Sequence, residues 1–267
     1  MDIITVDHFN LKETLECGQC FRWMPGAGGE YIGIVGNYVA IVRQEGNQLL
    51  IDSNAPKSFW EEYFDLARDY GRIKDELSQD AVMKTAISSG KGIHLLKQPF
   101  WECLASFIIS QRNNIPRIMQ IVEALCREFG NPILFGEKEY YSFPEPGEIL
   151  DKSLAAIKCG YREKYLKDAS EKVLSGQIDY DKLVKMDSCL AKENLLGVNG
   201  VGEKVANCVL LFSLQKFDVF PVDVWIKRKV MELYGVNEYD IESFAAKSFS
   251  CYSGFAQQYL FYHARTG

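Results

Sequence analysis

A glycine-rich turn between two predicted helices is the stretch of the chain best suited to a chemical task. It reads Leu195-Leu-Gly-Val-Asn-Gly-Val-Gly-Glu-Lys-Val205. Glycines such as Gly200 and Gly202 can adopt positive φ and leave backbone N–H groups uncovered. The N-terminal N–H groups and dipole of the second helix point the same way, so the turn can bind a phosphate, including one in a DNA backbone. A tight helix pair without a ligand is the alternative interpretation.

A lysine and an aspartate accompany this turn. Lys204 lies in the first turn of the second helix, and Asp223 follows 19 residues later, two positions after Pro221. A neutral amine can attack a carbon centre, and a carboxylate can stabilise a developing cation. Taken alone, Asp223 is also explained as the N-cap of the next helix, and Lys204 as an exposed lysine.

Length and composition describe an ordinary globular protein. The chain has 267 residues, of which 47% are hydrophobic and 25% charged, and its net charge is −6. This excludes disorder and collagen-like repeats, and no apolar run approaches the ~20 residues of a membrane span. With no secretory signal at its N-terminus, the chain is predicted to be cytoplasmic. The acidic balance argues against a surface that binds nucleic acid throughout, so basic segments at 158–167 and 227–229 are candidate local patches.

The cysteines predict no metal site. Eight are present, and Cys17 and Cys20 form a lone C-x-x-C pair. A zinc site would need two further ligands, and an iron–sulfur cluster would need a run of closely spaced cysteines that the C-terminus lacks. We therefore expect reduced thiols and no cofactor.

Two regimes follow one another along the chain, which predicts an α+β fold. Residues 1–80 contain β-branched runs at 31–35, 38–43 and 48–52, which predict a small antiparallel β domain. A helix is expected near 57–66. Residues 81–267 predict a mostly helical body with a helix-hairpin-helix at about 188–214. The helices predicted in this body span 100–110, 115–129, 162–174, 188–196, 203–214, 224–234, 241–249 and 252–265.

The turn and the aspartate together resemble a known motif. Residues 200–204 followed by 221–223 resemble the helix-hairpin-helix and aspartate motif of base-excision DNA glycosylases, and a lysine at position 204 resembles the members that are also β-lyases. Four further stretches resemble the 8-oxoguanine DNA glycosylase family, and the matches run in order from about residue 10 to 265. These stretches are Gly18-Gln-Cys-Phe-Arg-Trp23, residues 110–117, Gly160-Tyr-Arg-Glu-Lys-Tyr165 and Gly254-Phe-Ala-Gln-Gln-Tyr-Leu-Phe261.

The resemblance implies contacts for extruding a base from duplex DNA, which costs a few kcal/mol. Tyr161 would wedge near the vacated site, and Arg117 and Arg162 would contact the estranged cytosine. The hairpin would hold phosphates through Gly200, Gly202 and Val205.

The resemblance also implies a pocket for the lesion. Cys208 and Phe261 would sandwich the base, and Gln257 would bond its Watson–Crick edge. The Gly18 carbonyl would accept the N7 hydrogen that 8-oxoguanine has and guanine lacks, a difference worth ~1–3 kcal/mol. By spacing alone, Cys208 and Phe261 would be ordinary core residues.

Catalysis would fall to the lysine and the aspartate. Lys204 would attack the sugar C1′ and form a Schiff base, and Asp223 would stabilise the cationic sugar. A carboxylate too close to Lys204 would keep that lysine protonated, and the sequence does not resolve this conflict.

Two positions depart from the family pattern. Trp225 stands where the family often has histidine, so a phosphate contact there is in doubt. Arg112 replaces the first of three asparagines, so either Arg112 or Asn113 would fill the vacated site.

The predicted function is therefore a bifunctional 8-oxoguanine glycosylase and β-lyase. It would act as a monomer on double-stranded DNA, preferably where the lesion is opposite cytosine. A glycosylase for another damaged or mismatched base and a non-enzymatic DNA-binding module are the alternatives.

Overall fold

A five-stranded antiparallel sheet opens the structure, a computed structural model that describes residues 1–266. Its strand order is β1-β5-β4-β3-β2. Two-residue turns join β3 to β4 and β4 to β5, and they use Gly36 and Gly46 at φ +57° and +59°, a conformation that glycine adopts without strain. The strands are β1 (Asp2–Thr5), β2 (Trp23–Pro25), β3 (Tyr31–Val35), β4 (Tyr38–Glu45) and β5 (Gln48–Ser53).

Helices make up most of the remaining chain, which confirms the predicted α+β class. No helix within residues 1–266 is long and apolar enough to cross a membrane. The helices are α1 (Leu11–Glu16), α2 (Lys57–Tyr63), α3 (Tyr70–Leu77), α4 (Ala81–Ser89), α5 (Phe100–Ser110), α6 (Ile115–Phe129), α7 (Pro146–Leu150), α8 (Glu163–Leu174), α9 (Tyr180–Lys185), α10 (Ser188–Leu196), α11 (Glu203–Phe212), α12 (Val224–Tyr234), α13 (Ile241–Phe249) and α14 (Ser253–Thr266).

A small hairpin interrupts the helical body where the sequence predicted only helices. Strands β6 (Pro132–Phe135) and β7 (Lys138–Tyr141) pair around Gly136, whose φ is +61°. Most of their residues are exposed or half-buried, so the alternation that marks a strand with one buried face is weak here.

Two hydrophobic clusters form the interior. One lies under the sheet, where Trp23, Trp60 and Phe64 pack together. The other fills the helical body and includes Tyr70 and Leu77 of α3. The predicted boundary between residues 80 and 81 stays a prediction.

Candidate active site and nucleic-acid interface

The hairpin, meaning α10, the turn at 197–202 and α11, leaves the backbone N–H groups at the start of α11 without intrahelical partners. Gly202 is the N-cap and has no side chain to cap the helix, and the first intrahelical bond joins the Ala206 N–H to the Gly202 carbonyl at 3.0 Å. The N–H groups of residues 203–205 are therefore free of intrahelical partners. Val205 is 3% exposed as a whole residue, whereas Glu203 is exposed and Lys204 is half-buried.

The two glycines of the turn differ in conformation, which corrects the expectation that both use positive φ. Gly200 has φ +80°, and an added Cβ would overlap the ring of Tyr165. Gly202 is extended, with φ −105° and ψ −179°, because it starts a helix rather than reversing the chain. An added Cβ there would meet no described atom within 4 Å.

Lys204 projects from α11 into the interior rather than into solvent. Its Nζ lies 3.4 Å from the Ser110 hydroxyl and 4.9 Å from the centre of the Phe107 ring, and both groups belong to α5. Cys208 lies one turn later on α11, where burial raises the pKa of its thiol and the charge of Lys204 opposes that rise. Within residues 1–266, no carboxylate oxygen lies within 4.0 Å of the Lys204 amine.

Asp223 is the N-cap of α12. Its Oδ1 accepts a hydrogen bond from the Ile226 N–H at 2.8 Å, while Oδ2 accepts none from the described residues. One carboxylate oxygen thus caps the helix, and the other is available to the cavity that Asp223 and Lys204 both line.

This cavity has a volume of about 40 Å³. A water molecule needs about 10–15 Å³, so the cavity holds a few waters, and side chains must move before it can admit a base. Gln257 is buried, and its Oε1 has no hydrogen-bond partner within the described chain. The cavity is lined by Gly18, Phe107, Lys204, Cys208, Phe212, Pro221, Asp223, Gln257, Gln258 and Phe261.

Gly18 forms one wall of the cavity because no other residue fits there. Its φ is +89°, and an added Cβ would lie 3.0 Å from a Phe261 ring carbon and 2.9 Å from an Arg265 nitrogen. No hydrogen bond within residues 1–266 ends on its carbonyl oxygen. The apolar ring of Phe261 and a glycine whose carbonyl accepts no hydrogen bond from the described residues therefore both line this cavity.

The loop at 158–160 brings together both predicted cytosine readers. Arg117 of α6 donates to the Lys158 carbonyl at 3.1 Å. Arg162 is 8% exposed and donates to the Cys159 carbonyl at 3.1 Å and twice to the Gln111 carbonyl. The Arg162 guanidinium thus also holds the backbone together, a task that its motif did not reveal.

Tyr161 is exposed and contacts Arg162. The residue is 47% exposed, and the Arg162 guanidinium lies 4.6 Å from the centre of the Tyr161 ring. An exposed aromatic ring with a cation supporting one face has the shape and rigidity of a wedge.

The basic segment at 227–229 is less positive than its sequence indicates. Lys227 pairs with Glu238, and Lys229 pairs with Glu232 at 3.1 Å. Arg228 is exposed and makes no ion pair within the part of the chain that the structure describes.

Comparison with known proteins identifies the family. Residues 3–104 match the 8-oxoguanine DNA glycosylase N-terminal domain, and residues 105–249 match the HhH-GPD superfamily of base excision DNA repair proteins. The N-glycosylase/DNA lyase of Saccharomyces cerevisiae is 32% identical over 85% of this chain and 69% of its own length. The chain belongs to the 8-oxoguanine DNA glycosylase family.

Solved structures resemble this glycosylase family member over nearly its whole length. A structure of MBOgg1 in complex with a low-affinity DNA ligand is 47% identical, with a TM-score of 0.95, and the match covers 98% of this chain and 94% of that one. The Clostridium acetobutylicum 8-oxoguanine glycosylase/lyase, in complex with DNA containing cytosine opposite 8-oxoguanine, is 39% identical, with a TM-score of 0.93 and coverages of 97% and 93%. The resemblance stated from the motifs is confirmed.

The positions that depart from the glycosylase family's pattern lie on the surface. Arg112 is exposed and has φ +50°. Asn113 instead donates its amide to the Ile109 carbonyl at 3.1 Å and so closes the end of α5. Trp225 is 59% exposed in the first turn of α12, next to Asp223.

Sequence reasoning missed three residues of the glycosylase site. Phe107 and Ser110 surround the Lys204 amine, but they lie in an almost wholly buried helix whose composition indicates only core. Arg265 packs its guanidinium 5.4 Å from the centre of the Phe261 ring. Its spacing of four residues from Phe261 places both on one face of α14, so this position could have been found.

The described residues show no metal centre in the glycosylase. No cluster of three or more histidine, cysteine, aspartate or glutamate residues suited to a metal occurs within residues 1–266. All eight cysteines, which lie within this range, are free thiols. Burial raises the pKa of Cys17 to about 12, so its thiol stays protonated at neutral pH.

Proposed function

We propose that the chain is a bifunctional DNA glycosylase and lyase that releases 8-oxoguanine from duplex DNA, preferably opposite cytosine, through a lysine Schiff base. One observation carries the proposal. Judged on residues 1–266, a single cavity is lined by an amine without a carboxylate partner, a carboxylate with an unused oxygen, and a buried amide oxygen without a hydrogen bond. An unpaired buried acceptor costs about 1–3 kcal/mol, so a ligand that supplies the missing donor gains that amount.

Gln257 and Gly18 would recognise the base. The Watson–Crick edge of 8-oxoguanine presents N–H donors, which match the unpaired Oε1 of Gln257. Its N7 also carries a hydrogen, which matches the unused Gly18 carbonyl. Guanine has a lone pair at N7 and would be repelled there. The base would stack between Cys208 and Phe261 after Phe261 and Arg265 move apart from Gly18.

Lys204 and Asp223 would carry out the chemistry. The neutral Lys204 amine would form a bond to C1′ as the bond from C1′ to the base breaks, and the base would leave with the electron pair. Opening of the sugar would give the Schiff base, and loss of a C2′ proton would then expel the 3′ phosphate. The free oxygen of Asp223 would stabilise the positive charge that develops on the sugar.

The DNA-binding face would lie around the hairpin and the loop at 158–160. Phosphates would bind the free N–H groups at 203–205, and Tyr161 would wedge beside the vacated site. We assign the void-filling role to Arg112, because it is exposed while the Asn113 amide is already bonded to the backbone. Arg117 and Arg162 would read cytosine, whose O2 and N3 acceptors suit guanidinium donors. Trp225, which is 59% exposed in the first turn of α12, would then meet the DNA backbone.

Borohydride trapping tests the mechanism. The unsubstituted protein should become covalently attached to a duplex containing 8-oxoguanine, and Lys204→Gln should bind the duplex but neither trap nor cut it. Lys192→Gln is the matched control, because Lys192 lies on the same hairpin but pairs with Glu203 at 3.0 Å. If Lys204→Gln is still trapped on the DNA, a residue other than Lys204 is the nucleophile.

Duplexes with each of the four bases opposite 8-oxoguanine test the substrate. Cleavage should be fastest opposite cytosine. Equal rates opposite all four bases would contradict the proposed preference for cytosine. If the protein cleaves only abasic sites, 8-oxoguanine is not its substrate.

The cellular setting is proposed from the sequence. We propose a monomeric enzyme that works in the cytoplasm, associated with the nucleoid if the source is prokaryotic. Light scattering of the purified protein, alone and with a short duplex, would detect a dimer if one forms.

A further inference from the structure

Buried glutamines hold the backbone on both sides of the Gly18 carbonyl. Nε2 of Gln258 donates to the Cys17 carbonyl at 3.0 Å, and Nε2 of Gln98 donates to the Gln19 carbonyl at 2.7 Å. Gln258 is 2% exposed and Gln98 is 8% exposed. The two peptide groups that flank the Gly18 carbonyl are therefore fixed, while the carbonyl between them accepts no hydrogen bond within residues 1–266.

The Gln19 side chain also fixes residues 17–19, through hydrogen bonds to the backbone of other segments. Its Nε2 donates to the Thr14 carbonyl at 2.9 Å and to the His94 carbonyl at 2.8 Å, and its Oε1 accepts from the Leu96 N–H at 2.9 Å. Gln19 is fully buried. Three separate parts of the chain thus fix residues 17–19, although these residues lie outside any helix or strand.

These hydrogen bonds are important because a peptide group that follows a glycine can flip easily. Gly18 has φ +89°, and glycine crosses between backbone regions without the steric barrier that a Cβ imposes. If the peptide between residues 18 and 19 turned over, it would present the Gln19 N–H to the cavity instead of the Gly18 carbonyl. An N–H would pair with the N7 lone pair of guanine, so the preference for the oxidised base would be lost.

We propose that Gln98 and Gln258 are positioning residues that keep the Gly18 carbonyl directed at the lesion. This inference rests on the proposed function, because it concerns how that function selects its base. Gln98 acts from the segment before α5, and Gln258 acts from α14, next to Gln257. The segment before α5 and the last helix therefore hold the peptide groups on either side of the carbonyl that would distinguish the two bases.

Two substrates separate a positioning role from a general one. A duplex with 8-oxoguanine opposite cytosine needs the Gly18 carbonyl, whereas a duplex with a preformed abasic site has no base to recognise. In Gln258→Met, the single-turnover rate of base release should fall by roughly 10- to 100-fold, since misplacing a contact by an ångström costs about that much. Cleavage of the abasic site should fall by a much smaller factor, because this substrate has no base for the Gly18 carbonyl to contact.

Matched variants complete the experiment. Gln98→Met removes the hydrogen bond to the Gln19 carbonyl and should likewise slow base release more than abasic-site cleavage. This variant tests the proposal if Gln258→Met fails to fold. Gln44→Met is the control, because Gln44 donates to the Phe9 and Gly46 carbonyls at 2.9 and 3.0 Å, in the sheet domain and away from Gly18. Gln44→Met should lower the free energy of unfolding but should not change the ratio of the rates on the two substrates.

The outcomes distinguish the two proposals. Equal losses on both substrates, or unchanged base release in both variants, would overturn the positioning role. If the unsubstituted protein cuts abasic sites but releases no 8-oxoguanine, the proposed function fails first, and the positioning role fails with it.

Discussion

Alanine at Gly200 should destabilise the fold, because this position has no room for a side chain. Its φ is +80°, and an added Cβ would overlap the Tyr165 ring. A left-handed conformation costs a residue other than glycine about 1–2 kcal/mol, and overpacking adds about 1–3 kcal/mol. Gly200→Ala should lower the free energy of unfolding by about 2–5 kcal/mol.

Alanine at Gly202 should leave folding almost unchanged. The backbone is extended, and a Cβ there meets no described atom within 4 Å. Alanine restricts the unfolded chain, which stabilises the fold by about 0.4–1 kcal/mol, but it is a poorer N-cap by a similar amount. The net change should be smaller than about 1 kcal/mol.

Gly202→Ala should nevertheless bind DNA more weakly than the unsubstituted protein. The new Cβ would stand where a phosphate must approach the N–H groups of residues 203–205. Loss of one hydrogen bond to a charged group costs about 1.5–3 kcal/mol, which corresponds to roughly 10- to 150-fold weaker binding.

Urea unfolding and fluorescence anisotropy with a labelled duplex measure the two effects separately. Gly147→Ala is the control, because an added Cβ at Gly147 meets only Leu174 side-chain atoms, at 4.0 Å, on another helix. The reasoning is refuted if Gly202→Ala binds DNA as tightly as the unsubstituted protein, or if it loses as much stability as Gly200→Ala.

Three further predictions concern the carboxylate, the cytosine reader and a buried histidine. Asp223→Asn keeps a capping oxygen, so stability should change by less than about 1 kcal/mol, while single-turnover base release slows about 100-fold or more; equal rates would leave Asp223 as a helix cap only. Arg117→Ala should slow cleavage opposite cytosine about 10- to 100-fold more than opposite adenine, whereas a uniform loss with a shallower salt dependence would mark a phosphate contact. Burial lowers the pKa of His94 from 6.5 to about 3, so between these two values only the unfolded state binds a proton at this residue. The contribution of His94 to the free energy of unfolding is therefore complete above pH 6.5 and falls as the pH drops toward 3, by about 2 kcal/mol at pH 5. Urea unfolding at pH 7 and pH 5 should show that the unsubstituted protein loses more stability than His94→Gln, and parallel losses would contradict this.

The hairpin could be predicted from sequence because its determinants are local. Helix α10 was predicted with the bounds that the structure shows, and α11 was predicted two residues too long at its end. The need for glycine at 200 was visible in the turn, but its partner Tyr165 lies 35 residues earlier and was not. Neither was the extended conformation of Gly202, since the same dipeptide pattern permits either backbone.

The cavity depends on contacts between distant segments, so its details could not be predicted from sequence. The partners of Lys204 come from α5, and Ser110 lies 94 residues away. The unpaired oxygen of Gln257 and the hydrogen bond from Gln258 to the Cys17 carbonyl depend on how α14 meets the first 20 residues. Family resemblance supplied expected roles for these side chains, but the backbone contacts of Arg162 appear only in three dimensions.

An acidic chain can bind DNA if its contacts use backbone dipoles rather than cationic side chains. The net charge is −6, and two of the three basic residues at 227–229 are neutralised by glutamates. The start of α11 offers free N–H groups and a positive helix end equivalent to about half a charge, while Glu203 beside them is held by Lys192. Dipoles displace fewer counterions than lysines or arginines do, so each such contact adds little to the salt dependence of binding. In the proposed complex, the backbone contacts would hold the duplex without favouring a sequence, and the choice of base would be left to the atoms around Gly18 and Gln257.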